Sequence, residues 1–111
     1  MRHSAIVELK SRATVFAALG DPTRLSVLGR LSHGEPQSIA RLTDGTKLSR
    51  QAVTKHLRVL EKAGVVRSVR AGREALFELE PEAIGEARNY LDQVSRQWDD
   101  ALARLMAHVE R

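Results

Sequence analysis

The sequence predicts a single, mainly α-helical domain of five helices that carries one small β-hairpin. Apolar residues recur at helical spacing over most of the 111 residues, and the period changes to two only between residues 65 and 80. There, alternating runs at 65–69 and 75–79 flank the turn sequence RAGR, which is typical of a β-hairpin. A chain of 111 residues is also the usual length of one domain, here residues 1–111.

The first two helices are marked by their ends. Residues 4–19 carry apolar side chains in steps of three and four and stop at Gly20. Asp21 and Pro22 then start a second helix, because aspartate is a strong N-cap and proline at the first helical position loses no hydrogen bond. We expect three leucines to form the buried stripe of this second helix, which Gly34 closes: Leu25, Leu28 and Leu31.

Residues 36–64 are predicted to form a helix-turn-helix. Pro36 opens a short third helix, and a turn cluster follows at residues 43–46. The fourth helix, residues 49–63, has Ser49 as its predicted N-cap and ends at Gly64. Its apolar stripe has helical spacing and comprises Val53, Leu57, Leu60 and Ala63.

The last helix, which starts at Pro81, indicates how the protein assembles. Its apolar residues alternate in steps of three and four, as in a heptad seam. At ~1.5 Å per residue the helix is roughly 43 Å long, whereas a compact domain of this size is only ~25–30 Å across. The seam therefore overhangs the domain and predicts a homodimer through residues 1–20 and 81–111. The expected interface residues are Ile6, Leu9, Ala87, Leu91, Val94, Trp98, Leu102 and Leu105.

The charge is distributed unevenly along the chain. The net charge of +4 divides into +2 for residues 1–46, +7 for residues 47–73 and −5 for residues 74–111. The middle window holds eight basic side chains and one acidic one, Glu61. Positive charge confined to the helix-turn-helix and hairpin indicates a polyanion site, with double-stranded DNA as the leading partner.

The fourth helix presents hydrogen-bond donors and no carboxylate on the face opposite its apolar stripe. Arginine pairs with guanine and glutamine with adenine in the major groove, and the helix N-terminus suits a phosphate. The hairpin, residues 65–80, lies beside this helix as a wing whose arginines suit phosphates or a narrow minor groove. The predicted DNA-binding residues are Lys47, Ser49, Arg50, Gln51, Thr54, Lys55, Arg58, Arg67, Arg70 and Arg73.

Other classes of function are disfavoured by what the sequence lacks. It contains no cysteine, which excludes disulfides, thiolate metal ligands and a cysteine nucleophile. No apolar run approaches the ~20 residues of a membrane span, and we expect a soluble, cytoplasmic protein. We predict no catalytic residues, no cofactor and no metal site, since the histidines are scattered and no nucleophile accompanies the acidic pairs.

Three segments resemble the arsenic-repressor (ArsR) family of bacterial winged helix-turn-helix regulators. FAALGDPTRL at residues 16–25 is similar to the family's junction between the first two helices. SRQAVTKHLRVLEKAGVV at residues 49–66 is similar to its recognition helix and the exit into the wing, and Gly72-Arg73 followed by Phe77 resembles the wing. The resemblance implies a dimeric transcriptional repressor whose first and last helices form the dimer interface.

The sequence also departs from the family's pattern. Glu35–Ile39 stands where metal sensors of the family have Cys-x-Cys, and no Asp-x-His occurs, so the resemblance implies that both familiar metal sites are absent. Lys47 stands where the family has a glycine before the recognition helix, with Gly45 two residues earlier. A left-handed backbone at Lys47 would cost ~1 kcal/mol or more.

Two alternatives stay open from the residues alone. A winged helix can present its basic face to an acidic protein instead of DNA, because the fold alone does not decide the function. A repressor of this kind can also respond to a metal or a metabolite at a non-standard site. The sequence indicates no particular small-molecule effector.

Overall fold

The computed structural model describes the backbone of residues 2–110 and the side-chain surroundings of residues 9–110. Within residues 2–110, five helices and three short strands follow one another. They are α1 (Arg2–Leu19), α2 (Pro22–Leu31), β1 (Gln37–Ser38), α3 (Ile39–Thr43), α4 (Arg50–Lys62), β2 (Val66–Ala71), β3 (Glu74–Leu79) and α5 (Pro81–Val109). The predicted fold class, a mainly helical domain with a hairpin, is confirmed.

The sheet has one strand more than the predicted two-stranded wing. Strands β2 and β3 form the expected antiparallel hairpin, and the short β1 pairs with the other edge of β3, giving the order β1-β3-β2. In the two-residue turn of the hairpin, Gly72 has a φ of 63°, which glycine adopts without steric cost. A two-residue strand is too short to show an alternating pattern, so periodicity gave no signal for β1.

The third helix begins later than predicted. The chain after Pro36 first pairs with the sheet, and α3 starts only at Ile39. Ser38 is its N-cap, with its hydroxyl oxygen accepting a hydrogen bond from the Arg41 backbone N–H at 3.2 Å. Proline at position 36 therefore precedes the strand rather than opening the helix.

The predicted buried stripe of α2 is wrong at Leu25, which is 50% exposed. The buried face passes instead through Val27 and Leu31, four residues apart, with Leu28 half-buried at its edge. Leu25 precedes Val27 by two positions, which turns it about 200° around the helix and out of the core.

The core holds α4 firmly by its inner face. Val53, Leu57 and Leu60 are each 0% exposed and pack in one cluster with Leu31 and Leu42 from the two preceding helices. This confirms the predicted stripe of the fourth helix. Because close-packed side chains resist displacement, the opposite face of α4 is presented in a fixed orientation.

The junction between α1 and α2 is closed by two polar side chains. The Asp21 carboxylate accepts a hydrogen bond from the Arg24 backbone N–H at 3.0 Å, which confirms the predicted N-cap. The Arg24 side chain in turn donates from Nε to the carbonyl oxygen of Ala18 at 2.7 Å, near the end of α1. The hydrogen bond from the Arg24 backbone holds the pKa of Asp21 below its usual value.

This lowered pKa predicts an acid-sensitive contribution to stability. A carboxylate whose pKa is depressed in the folded state stabilises it above the unfolded pKa, and the stabilisation is lost as pH falls through the folded pKa. Between about pH 5 and pH 2, the unfolding free energy should fall more steeply in the parent protein than in Asp21→Asn. Denaturant titrations at a series of pH values measure this difference, and parallel curves for the two proteins would contradict it.

Helix α5 extends well beyond the rest of the domain. It runs for 29 residues without one fully buried side chain, and the molecule measures 66 × 35 × 21 Å. Its N-terminal half contacts α1, where the Phe16 and Tyr90 rings lie 5.7 Å apart and the Arg12 guanidinium lies 5.3 Å above the Tyr90 ring. The radius of gyration is 18.4 Å, against ~13 Å for a compact chain of this length.

Within residues 2–110, no helix combines the length and the hydropathy that a membrane-spanning helix needs.

Candidate nucleic-acid interface

The outer face of α4 is a mostly exposed surface on which hydrogen-bond donors predominate. Its side chains recur at helical spacing opposite the buried stripe, and together they line one open groove along the helix. Among the residues whose side chains the structure describes, no carboxylate lines this groove. We refer to these residues as the α4 face: Arg50, Gln51, Thr54, Lys55, Arg58, Val59 and Lys62.

The N-terminus of α4 is capped as the sequence predicts. The Ser49 hydroxyl oxygen accepts a hydrogen bond from the Ala52 backbone N–H at 3.1 Å, and Ser49 remains exposed. One turn later, Thr54 Oγ1 donates to the carbonyl oxygen of Arg50 at 2.7 Å. That hydrogen bond directs the hydroxyl toward the helix backbone. The Thr54 methyl group is then the part of the side chain left for an outside contact.

The turn before α4 takes its shape from Gly45 rather than from Lys47. Gly45 has a φ of 76°, and every other residue with positive φ in the described chain is also a glycine. Lys47 is exposed and carries no backbone strain of this kind. The residue with a left-handed backbone is thus Gly45, two positions before the one at which the family has glycine.

The same turn is tied to α2 by Arg30, a residue that no sequence motif marks. Arg30 donates from Nη1 to the carbonyl oxygen of Asp44 at 2.6 Å and lies 3.5 Å from that of Leu42. Its own carbonyl oxygen accepts a hydrogen bond from Gln37 Nε2 at 2.6 Å. The partners lie 14 positions apart, and no local pattern marks such a pair.

The three wing arginines are in different surroundings. Arg70 and Arg73 are exposed near the tip of the hairpin. Arg67 lies nearer its base, where Nε is 2.7 Å from the Glu78 carboxylate and Nη1 is 3.5 Å from that of Glu80. The hydrogen bond to Glu78 and the charge of both carboxylates raise the pKa of Arg67 above its usual value.

Comparison with known proteins identifies the family. Residues 19–69 match a family model described as a helix-turn-helix domain. The chain is 36% identical over 93 residues to the HTH-type transcriptional regulator Rv2034 of Mycobacterium tuberculosis, covering 84% of this chain and 83% of that protein. An ArsR-like transcriptional regulator from Rhodococcus sp. RHA1 superposes with a TM-score of 0.77 at 35% identity, covering 88% of this chain and 92% of that one.

The chain belongs to the ArsR family. It is a DNA-binding transcriptional regulator and not an enzyme. The same fold occurs in the homodimeric winged helix-turn-helix DNA-binding domain Mb0332 of Mycobacterium bovis, with a TM-score of 0.64 and 23% identity over 91% of this chain and 88% of that one.

One exposed cation of this ArsR-family regulator was not among the predicted DNA-binding residues. Lys62 lies on the α4 face, four residues after Arg58. The spacing that grouped Arg50 with Thr54 and Arg58 also reaches position 62, so the signal was present in the sequence.

The predicted interface residues of this ArsR-family regulator are largely exposed in the single chain. Trp98 is 66% exposed, Leu102 50% and Leu105 58%, and Leu9 and Leu91 are similarly open. Ala87 and Val94 are half-buried. The side chain of Ile6 lies outside the described residues.

The histidines do not assemble a metal centre in the part of the chain that the structure describes. Among those residues, no three histidine, cysteine, aspartate or glutamate side chains come together as ligands. His56 is half-buried on α4, and its Nδ1 is a buried atom for which the described residues supply no hydrogen-bond partner.

Proposed function

We propose that the protein is a homodimeric repressor that binds a palindromic operator. In each protomer, α4 enters a major groove, and Arg70 or Arg73 of the wing reaches the flanking minor groove. The observation that carries this proposal is the α4 face, which consists mostly of donors and includes no carboxylate of the described residues, on a helix fixed by three fully buried side chains.

The chemistry of the α4 face supports base recognition. Arg50 and Arg58 lie two turns apart and are both exposed, and a guanidinium pairs with guanine O6 and N7 through two hydrogen bonds. The exposed amide of Gln51 suits the N6 and N7 atoms of adenine. Thr54 offers its methyl group to thymine, because its hydroxyl is engaged by the helix backbone.

The surrounding residues support backbone contacts that fix the position of the helix. Ser49 and the first N–H groups of α4 suit a phosphate, and the helix dipole favours the negative charge there. Lys47 precedes this N-terminus and Lys55 lies in the second turn of the helix, and both side chains are exposed. We assign Arg67 a weaker phosphate contact than Arg70 and Arg73, because Glu78 and Glu80 already neutralise part of its charge.

The dimer is supported by the apolar seam of α5. Leucines and a tryptophan that are half or more exposed recur along one side of a projecting helix, and contiguous apolar surface of this kind marks an interaction site. A homodimer is the assembly of Mb0332, which shares the fold. Two-fold symmetry then requires half-sites whose centres lie roughly 34–36 Å apart.

Repression follows from occupancy, since a dimer bound across promoter sequence excludes polymerase. The proposal is tested by selecting bound duplexes from a random pool and placing the enriched sequence upstream of a reporter gene. We expect an imperfect palindrome with half-sites about one helical turn apart and lower reporter output when the protein is present. If the protein were instead a module that binds acidic proteins, the selection would enrich no DNA sequence.

The wing arginines are expected to act through phosphate and minor-groove charge. Arg73→Ala should lower affinity for all duplexes by a similar factor and reduce the slope of log affinity against log salt by about one. Fluorescence anisotropy at several salt concentrations measures both quantities. The matched control is Arg96→Ala on α5, which removes the same charge from an exposed site outside the proposed DNA interface. An equal change of slope in both variants would contradict the assignment of Arg73 to that interface.

A further inference from the structure

A cavity of about 430 Å³ lies between the base of the wing and the first turns of α5. It is lined by residues of β2 and β3, by Gly34 between α2 and β1, and by residues of the helix. Its volume falls within the range of ~300–1,000 Å³ usual for small-molecule sites. The α4 face is elsewhere on the molecule, because the two lining sets share no residue.

The floor of the cavity is apolar and is left open by a glycine. Leu79, Pro81 and Ile84 supply apolar surface, and Gly85 lies beside them on α5. A Cβ atom added at Gly85 would meet nothing within 4 Å, so packing does not require glycine there. Glycine inside a helix costs roughly 0.5–1 kcal/mol relative to alanine, so helix stability does not account for it either.

The charges around the cavity differ in their pairing. Arg67 is held at its edge by the Glu78 carboxylate, at 2.7 Å, and by Glu80. Arg88 also lines the cavity, and it forms no ion pair with any residue of the described chain. An anion that enters the cavity would therefore find Arg88 available for a charge-assisted hydrogen bond.

We propose that this cavity binds a small monocarboxylate with an apolar body, whose carboxylate pairs with Arg88 and whose hydrocarbon part rests on Leu79 and Ile84. The ligand acts as an effector. It contacts both the strands that carry the wing tip and the helix that carries the dimer seam, so it couples their relative positions. Its effect on DNA rests on the proposed function, whereas its binding does not.

Binding is tested on the full-length protein without DNA, with octanoate and phenylacetate as probes. In ¹H–¹⁵N spectra the Gly34 and Gly85 amide signals, which belong to the cavity lining, should shift with either carboxylate, and those of Gly29 and Gly45 should not. Octylammonium, with the same chain and the opposite charge, should leave all four unmoved.

Two substitutions locate the site. Gly85→Leu fills the cavity and should remove octanoate binding, while Gly29→Leu makes the same change in α2 at another glycine whose Cβ would meet nothing and should leave binding intact. Both replace glycine by a better helix former, so the fold is retained and circular dichroism verifies it. Arg88→Gln should weaken binding about tenfold, the usual effect of losing a charged hydrogen bond.

The effector role is measured separately by DNA titration with and without octanoate. A change of at least threefold in operator affinity that disappears in Gly85→Leu supports it. Octanoate binding without that change overturns the effector role and leaves the site. The site itself is overturned if neither carboxylate moves the Gly34 and Gly85 signals, or if Gly85→Leu binds as the parent does. If the protein binds no duplex while the Gly34 and Gly85 signals still shift with carboxylate, the result counts against the proposed function and not against the cavity site.

Discussion

Reversing the charge of Arg50 and Arg58 together is expected to weaken specific duplex binding strongly. Each guanidinium that reads a base is worth ~1–3 kcal/mol, and each new carboxylate would face phosphates across the groove. We therefore expect Arg50→Glu/Arg58→Glu to weaken operator binding by at least about a hundredfold, as measured by fluorescence anisotropy on a selected duplex. Both side chains are exposed on a helix whose opposite face is fully buried, so the thermal midpoint should change little.

The matched control carries the same change of net charge at a different place. Arg96→Glu/Arg104→Glu reverses two exposed arginines of α5, outside the α4 face and the predicted interface. It should retain affinity within a few-fold at moderate salt, because exposed charges separated by more than ~10 Å are largely screened. Equal losses in the two double variants would show that net charge alone governs binding and would refute the assignment of α4 as the recognition helix.

A single carboxylate in the α5 seam is expected to separate the protomers. Leu102 is half exposed in the single chain and lies within the proposed interface. A two-fold interface receives each substitution twice, and a carboxylate buried there without a partner is costly. Leu102→Glu should raise the dimer dissociation constant by at least about a hundredfold, which sedimentation velocity measures directly.

Loss of the dimer should also weaken operator binding, because two linked half-sites gain from effective concentration and separate protomers do not. The control is Ala103→Glu, which places the same charge one position along, on an exposed part of α5 outside the predicted interface residues. It should remain dimeric. If both variants sediment as the parent protein does, α5 does not form the interface.

The orientation of α4 was predictable because all of its information is local. The spacing of Val53, Leu57 and Leu60 fixed the buried side, and Arg50 and Arg58 then had to lie on the other side. The N-cap at Ser49 was equally visible, since a capping hydroxyl and the N–H that it binds lie within one turn.

The features that the sequence did not reveal depend on contacts between distant positions. Strand β1 exists because Gln37 and Ser38 meet Phe77 and Leu76, some forty positions later. The hydrogen bond from Arg30 to Asp44 likewise spans two elements. Leu25 shows the opposite failure, since an i, i+3 series of leucines favoured a stripe that the packing of Val27 and Leu31 overrode.

The division of α4 into a buried side and an open side bears on how such a regulator can acquire a new operator. Stability depends on Val53, Leu57 and Leu60, whereas the proposed base contacts come from Arg50, Gln51 and other exposed positions. Exposed substitutions away from caps and buried contacts usually change stability by no more than about 0.5 kcal/mol. Specificity and folding can therefore evolve independently, and exchanging the outward residues of this one helix is a direct route to a repressor of altered target preference.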